Sequence, residues 1–454
     1  MARGEWPDLV PALLANVQSQ SDSLKTSALQ CIGFICELLD PLILETQSNA
    51  ILTAVAQGAK KDQQNEQVRL AAMHALYNSL EFIRGNFDRE VERNYVMQIV
   101  CEGTQSSNAD VQIISFECLV KIMSLYYDKM GMYMEKALYG LTLLGMRHDN
   151  EKVVLQAIEF WSSIFEMEAE MTYDNSVREE GEDHDLVHNF AFSVVAEITP
   201  VLLYLMAKKD EDEDDDMDEW NISMSAATCL QLLASCTGGT VVPFVLPFIE
   251  SNIKNPDWKF REAAVMAFGI QALIIGSIID GPEPADISSL VSMALPTLIE
   301  LMNDPVVHIK DTAAWTLGRI CENMFQTLQE NEVQAVIQAI VRGLDDTPRV
   351  ASNCAWCIIN LSEQTAGLED QKTGPLDRYF THILGELTRV AERFAFIYVR
   401  PNQDSNFRAA SYEAISTLVA HGSHDSLPYI STLATQVVER LNQTVAIQVV
   451  QILF

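Results

Sequence analysis

Basic residues are scarce in this chain: 30 Lys+Arg stand against 63 Asp+Glu in 454 residues, a formal net charge of −33. A field of that sign repels phosphate backbones and anionic lipid headgroups, so direct nucleic-acid binding drops out and basic protein segments become the expected partners. Uninterrupted apolar runs approaching the ~18 residues of a membrane span are missing, and the opening Met1-Ala-Arg-Gly-Glu-Trp-Pro7 carries no apolar stretch of signal-peptide length; no membrane insertion is expected. A disulfide framework is missing as well. Nine cysteines, an odd number scattered through apolar helical patterns, fit buried thiols of a reducing compartment. The expectation is a soluble intracellular protein. Strand-type alternation is almost absent, and so are GxGxxG, Walker and HExxH sequences, which removes the commonest signals for an enzyme or a cofactor.

What the chain does have is apolar content, 48% of its residues, enough to bury a large core and to place the acidity on a folded surface. Apolar residues recur at i, i+3, i+4, i+7, as in Ala28, Ile32, Ile35 and Leu39. One phrase returns along the length: a polar turn, an apolar residue, often a basic or polar one, two more, then a small residue and an apolar helix. It reads Leu24-Lys-Thr-Ser-Ala28, Val68-Arg-Leu-Ala-Ala72, Val111-Gln-Ile-Ile-Ser115, Val153-Val-Leu-Gln-Ala157 and Ile222-Ser-Met-Ser-Ala226. It continues as Phe260-Arg-Glu-Ala-Ala264, Ile309-Lys-Asp-Thr-Ala313, Val350-Ala-Ser-Asn-Cys354 and Phe407-Arg-Ala-Ala-Ser411. The small residues step by 44, 43, 42, 69, 38, 49, 41 and 57. Most steps lie in or near the about 40–47 of HEAT and armadillo repeats. A second apolar helix precedes most copies, for example 48–57, 92–101, 133–146 and 291–302.

The expected architecture is therefore all-α: one HEAT/armadillo-type α-solenoid superhelix over 1–454, of about nine to ten helical hairpins, each phrase opening the second helix of its hairpin. The long steps mark insertions, with polar loops at 166–185 and 363–377, an acidic loop at 210–219 and an unusually apolar patch at 270–279.

Few residues suggest chemistry. His184 and His188 stand at i, i+4, a spacing able to hold a metal on one helical face, but no Cys or third His accompanies them, and surface histidines are the expectation. Cys354 and Cys357 form a CxxC inside a repeat phrase, which favours packing thiols over redox or metal chemistry. Binding signals are stronger. In the acidic run Asp210, Glu211, Asp212, Glu213, Asp214, Asp215, Asp216, Asp218 and Glu219, only Met217 is not acidic. The run ends at Trp220. It reads either as a solvated loop or as an electrostatic clamp for a basic partner, and the adjoining indole favours the clamp. Trp315 and Trp356 each follow the phrase's first apolar residue by six, so they should stack on successive second helices, the helices expected to line the concave face. Asp311 and Asn353 share the faces of these tryptophans one turn earlier. Core packing is the alternative for both indoles. The functional reading is a ladder for a basic helix or extended peptide, with indoles taking cations and the polar groups taking backbone or ammonium.

At these residues the chain resembles the importin-β family of karyopherin nuclear import receptors, which are built of HEAT repeats. The resemblance is carried in order by Glu5-Trp-Pro-Asp-Leu-Val10, Tyr77-Asn-Ser-Leu-Glu-Phe82, Val120-Lys-Ile-Met-Ser-Leu-Tyr-Tyr127, Ile158-Glu-Phe-Trp161 and Asp214-Asp-Asp-Met-Asp-Glu-Trp-Asn221. It continues through Asn255-Pro-Asp-Trp258, Ala263-Ala-Val-Met-Ala-Phe-Gly269, Asp311-Thr-Ala-Ala-Trp315 and Arg349-Val-Ala-Ser-Asn353. It implies a non-enzymatic receptor without a cofactor, moving between cytoplasm and nucleus and transiently at the nuclear pore. It implies that the acidic loop contacts the GTPase Ran and the cargo adaptor, and that Trp220, Trp315 and Trp356 take the basic helix of importin-α or another basic import cargo. It further implies a convex-side pocket for the phenylalanine-glycine repeats of nucleoporins, formed by Leu52, Thr53 and Ala56 on one first helix and Glu92, Tyr95 and Val96 on the next. Within that pocket Ala56 replaces a larger aliphatic and Tyr95 a Phe. Set against the family, the chain reads as a part that lacks the first repeats and the C-terminal half, with Ile270–Gly276 inserted at a helix junction. The competing expectation is a HEAT scaffold subunit of a cytosolic enzyme complex.

Overall fold

A computed structural model describes residues 8–178, 184–209, 220–277, 284–364, 374–393, 401–435 and 437–438; the side chains of 41, 42, 45, 271–290, 392–393 and 401–406 are excepted. Among the described residues there is no strand. The helices fall into two compact units, Met1–Val241 and Val242–Phe454. In the first unit the principal helices are α1 (Leu9–Val17), α2 (Asp22–Leu38), α3 (Ser48–Ala59), α4 (Glu66–Ser79) and α5 (Glu90–Gly103). They are followed by α6 (Ala109–Tyr126), α7 (Tyr139–Gly145), α8 (Glu151–Val177), α9 (Phe190–Met206) and α10 (Ile222–Thr237). The second unit contains α11 (Val242–Asn252), α12 (Trp258–Ser277), α13 (Pro284–Leu301), α14 (Val307–Met324), α15 (Glu330–Gly343), α16 (Pro348–Glu363), α17 (Asp377–Arg393) and α18 (Pro401–Ala420). Odd-numbered helices are the first and even-numbered helices the second members of nine hairpins among the described residues.

Second helices pack on second helices, α2 on α4, α4 on α6, α6 on α8 and α8 on α10 in the first unit, and α12 on α14, α14 on α16 and α16 on α18 in the second. The repeat phrase explains how each hairpin closes. Its polar turn supplies an N-cap: Asn65, Asn108, Asn150 and Asn221 each accept from backbone N–H groups two or three residues on. Such a cap contributes about 1 kcal/mol. Its small residue lies at the helix crossing; Ala28, Ala72, Ser115, Ala157, Ala226, Ala264, Ala313, Cys354 and Ser411 are all buried. Opposite several of them stands a glycine of the first helix. A β-carbon at Gly58 would sit 2.9 Å from Ala72 Cβ, and one at Gly145 would sit 3.0 Å from Ala157 Cβ. A β-carbon at Gly103 would collide with Ser115, and one at Gly343 with Cys354. The basic residue of the phrase reaches the turn of the following hairpin: Arg261 spans both oxygens of Asp304 at 3.2 Å, Lys310 binds Asp346 at 2.6 Å, and Arg69 donates to Ser106 Oγ at 3.1 Å.

Three expectations change. The stretch 166–177 is not a loop, because α8 continues to Val177. Its acidic residues are good helix formers, and Glu168 turns inward, where it is buried and accepts from Tyr127 Oη at 2.5 Å and from the backbone N–H groups of Phe190 and Ala191 at 2.7 and 2.9 Å. A carboxylate therefore serves the exposed N–H groups at the start of α9, where the helix dipole favours negative charge. The segment Ile270–Gly276 continues α12 without a junction. The stretch Ile222–Asn252 is long and apolar enough to cross a bilayer by composition. It breaks after Thr237, at Gly238 with φ 55°, and α10 buries Ala226, Cys229, Leu230 and Leu233 in the hairpin stack. Of the loop expected at 363–377, residues 365–373 lie outside the described residues.

The crossing geometry makes two substitutions diverge. Gly103→Ala gains about 1 kcal/mol of helix propensity but overpacks against Ser115 at about 1–3 kcal/mol, so a lower urea midpoint is expected. Gly385→Ala, in the interior of α17 with nothing within 4 Å of the added carbon, should raise the midpoint.

Candidate functional site: a tryptophan–arginine ladder and an apolar groove

The two tryptophans expected on successive second helices occupy equivalent positions on α14 and α16, and both indoles are half-buried. Each rests on the preceding second helix at a glycine. A β-carbon at Gly269 would collide with the Trp315 ring, and one at Gly318 with the Trp356 ring. Only a bare main chain lets the indoles lie this flat, which leaves part of each ring open.

What lies between the rings was not legible in the motif. The Arg319 guanidinium is 5.3 Å from the Trp315 ring centroid and 4.7 Å from that of Trp356. One cation thus serves two rings. Arg319 also binds Glu322 at 2.8 Å through one terminal nitrogen, while its buried Nε has no hydrogen-bond partner among the described residues. The only sequence signal was the i, i+4 spacing from Trp315, which places both on one helical face.

Asp311 and Asn353 are brought together, in a different role from the one expected. Asp311 is buried, accepts from Arg349 Nε at 2.6 Å and from Asn353 Nδ2 at 2.7 Å, and ties α14 to α16. The Asp311 carboxylate is thus paired within the protein, as a carboxylate removed from water must be. Two further amides continue this fastening: Asn360 donates to the Gly318 carbonyl at 3.0 Å and Gln364 to the Glu322 carbonyl at 2.8 Å. Burial pushes the Asp311 carboxyl above the ordinary aspartate value, against the pull of Arg349 and Asn353.

The second candidate lies in the other unit, between first helices α3 and α5, which touch. Leu52, Ala56 and Val96 are buried and form the floor. Thr53 and Tyr95 are exposed at the rim, and Glu92 is half-exposed. Lys60 Nζ lies 5.9 Å from the Tyr95 ring centroid. Glu92 accepts from Arg89 and Asn86, hydrogen bonds that hold its carboxyl below the usual range, and Asn86 and Arg89 in turn converge on Asn49 Oδ1. Buried apolar side chains of α3 and α5 are therefore bordered by a hydrogen-bonded polar edge.

The acidic run Asp210–Glu219 lies outside the described residues. Trp220, which follows it, is 60% exposed just ahead of the Asn221 cap. His184 and His188 are not on a helix, since 184–189 precede α9. His188 instead packs between Tyr127 and Phe190, at ring-centroid distances of 5.1 and 5.0 Å. Cys354 and Cys357 are fully buried, and burial pushes both thiols well up, away from the reactive thiolate.

Stacked helical hairpins with a half-open indole ladder and no strand among the described residues define an α-solenoid of HEAT type. A family model for HEAT-like repeats matches residues 258–320, and one described as importin subunit beta-1-like, TPR repeats, matches 335–453. The chain is 45% identical over 455 residues to importin subunit beta-1 of Schizosaccharomyces pombe, covering 99% of this chain and 50% of the relative. To importin subunit beta-1 of Saccharomyces cerevisiae it is 39% identical over 451 residues, 98% of this chain and 50% of the relative. Among solved structures, an importin-β crystallised from ammonium sulfate superposes with a TM-score of 0.89 at 41% identity, over 97% of this chain and 50% of that one. A Kap95:Nup1 complex gives 0.87 at 39%, over 98% and 50%. A Kap95p structure, in which Kap95p binding switches the loops of RanGDP to the GTP-bound conformation, gives 0.85 at 38%, over 97% and 49%. This chain is a homologue of importin subunit beta-1 along nearly its whole length, and it spans about half the length of the curated relatives it matches.

One electrostatic consequence is measurable. Because folding raises the Asp311 pKa, the protonated form is favoured by folding: the burden of its ionisation is absent below the ordinary value of 3.8 and grows as pH rises through the folded value. Carbon-13 NMR of the carboxyl should give a midpoint above 3.8, and Arg349→Met should raise it further. A midpoint that falls on losing Arg349 would contradict the ion pair.

Proposed function

We propose that this chain works as a nuclear import receptor of the importin-β type, cycling between cytoplasm and nucleus through the nuclear pore. In this reading basic segments of importin-α or of other cargo bind at the Trp315–Trp356 ladder, and Trp220 also meets basic segments. The acidic run 210–219 draws them in and contacts Ran, and nucleoporin phenylalanines enter the α3–α5 groove over Leu52, Ala56 and Val96, beside Thr53, Glu92 and Tyr95. The observation that carries the reading is the ladder itself. Two indoles in equivalent positions already hold a guanidinium, which is the chemistry a basic segment would present. A net charge of −33 supports it, since such a field speeds encounter with a basic partner and fades with salt. The homologues and the Nup1 and RanGDP complexes of Kap95 support the nucleoporin and Ran parts.

Cargo release by Ran bound to GTP requires two states of the repeat stack with different affinity for cargo. The repeat interfaces offer the means, because small shifts at each second-helix contact add along a solenoid. No enzymatic step is needed for this cycle.

The ladder is tested by calorimetric titration with a basic amino-terminal peptide of importin-α. Trp315→Ala with Trp356→Ala should weaken binding about tenfold, the worth of two partly exposed cation–π contacts; undiminished binding places the site elsewhere. For the groove, Leu52→Ala with Tyr95→Ala should abolish binding of a phenylalanine-glycine repeat peptide and leave the basic peptide unaffected. Retained binding of the repeat peptide would exclude this groove.

A further inference from the structure

The Arg319 side chain has no evident reason to sit where it does if the ladder is merely a surface. Its guanidinium lies within cation–π range of two rings at once, at 5.3 and 4.7 Å. Yet among the described residues its buried Nε meets no acceptor and its one ion pair is to Glu322, one turn away on the same helix, with both side chains partly open to water. A buried N–H left unpaired is unfavourable, and an i, i+3 pair of this exposure contributes little. Asp311, the nearest buried carboxylate along the helix, is engaged by Arg349 and Asn353. Arg319 is thus held by the rings more than by hydrogen bonds, and held incompletely. The slot also has fixed walls, because Gly269 and Gly318 seat the two indoles against the helices behind them.

We propose that Arg319 is an intramolecular stand-in for the partner's cation. In the free chain it fills the space between Trp315 and Trp356, and a basic segment gains the slot by displacing it toward Glu322 and solvent. The stand-in sets a threshold: an isolated lysine does not repay the displacement, whereas a segment offering several cations and an apolar face does. The ladder so becomes selective for dense basic segments in a cell full of single ones. This proposal rests on the ladder being the basic-partner site.

The full chain is titrated with a Lys/Arg-rich amphipathic peptide at one fixed ionic strength, comparing wild type, Arg319→Met, Arg319→Gln and Glu322→Gln, with thermal midpoints recorded for each. Both Arg319 variants should bind about fivefold tighter, since no resident cation must leave its two rings. The gain should vanish in the Trp315→Ala plus Trp356→Ala background. Glu322→Gln separates displacement from bulk charge: removing an acidic residue weakens attraction for a basic peptide, but loosening the stand-in's tether makes binding tighter, and tighter binding is expected. A peptide-independent readout accompanies these. Methylguanidinium should perturb indole emission in Arg319→Met and not in wild type.

Unchanged or weaker binding by the Arg319 variants would overturn the stand-in. Tighter binding by them together with weaker binding by Glu322→Gln would do so too, by assigning the gain to net charge. In both cases the ladder reading survives if the double tryptophan variant still loses wild-type affinity. If that variant binds like wild type, the ladder reading fails, and the methylguanidinium response alone decides whether Arg319 guards a cation slot. Should the Arg319 variants unfold, the residue is a structural strut and the proposal falls.

Discussion

Four of the hairpins depend on a place where two helix backbones come close enough that no side chain fits between them. At Gly58 against Ala72, Gly103 against Ser115, Gly145 against Ala157 and Gly343 against Cys354, the first helix offers bare main chain and the second a small side chain. That approach brings the flanking apolar residues of both helices into contact, so burial is collected over the whole length of the pair. It also fixes the depth at which the second helices lie relative to one another. The same device then recurs between hairpins at Gly269 and Gly318, where the thing seated on bare backbone is an indole. The hairpin crossings and the candidate site are made by one contact type.

Charge is distributed with similar economy. Several of the few basic residues are engaged within the stack: Arg261 with Asp304, Lys310 with Asp346, Arg349 with Asp311, Arg389 with Asp345 and Lys121 with Glu81. Most of these span successive hairpins, and Arg261–Asp304 is almost fully shielded from water. Cations consumed in this way do not neutralise the outer surface, and the acidic excess is left facing solvent, where it acts on partners at long range. The scarcity of lysine and arginine and the acidic field are two sides of one arrangement.

Much of this was written in the sequence. The small residue and the polar turn recur with a period, and each has a local physical cause, so the hairpins and the second-helix starts at Glu66, Ala109, Glu151, Ile222, Val307 and Pro348 follow the phrase closely. The glycine partner escaped notice because it belongs to the preceding helix, eleven to fourteen residues earlier, where an isolated glycine reads as a breaker. Acidic density at 166–177 suggested a loop, although glutamates also build helices and Glu168 was needed inside. At the ladder the tryptophan register was legible, but helical spacing alone says which residues share a face and not which of them turn inward. The hydrogen bonds that join Asp311 to Asn353 and Arg349 were therefore not foreseen. Arg319 was missed because its significance lies in a second ring 37 residues further on.

The amide rungs between α14 and α16 carry a consequence for how such a chain changes over generations. Asn360 and Gln364 bond to the carbonyls of Gly318 and Glu322, and in the first unit Asn78 bonds in the same way to the carbonyl of Gly33. A carbonyl is supplied by every amino acid, so as hydrogen-bond acceptors Gly33 and Glu322 can drift in identity without loosening the joint, whereas Gly318 is also fixed by the Trp356 ring that rests on it. The donors cannot, since the reach and geometry of a side-chain amide are required. Mutational tolerance should therefore be one-sided across the joints at Gly33 and Glu322, and a sequence can diverge on the accepting helix while its neighbour stays tied to a short list of residues.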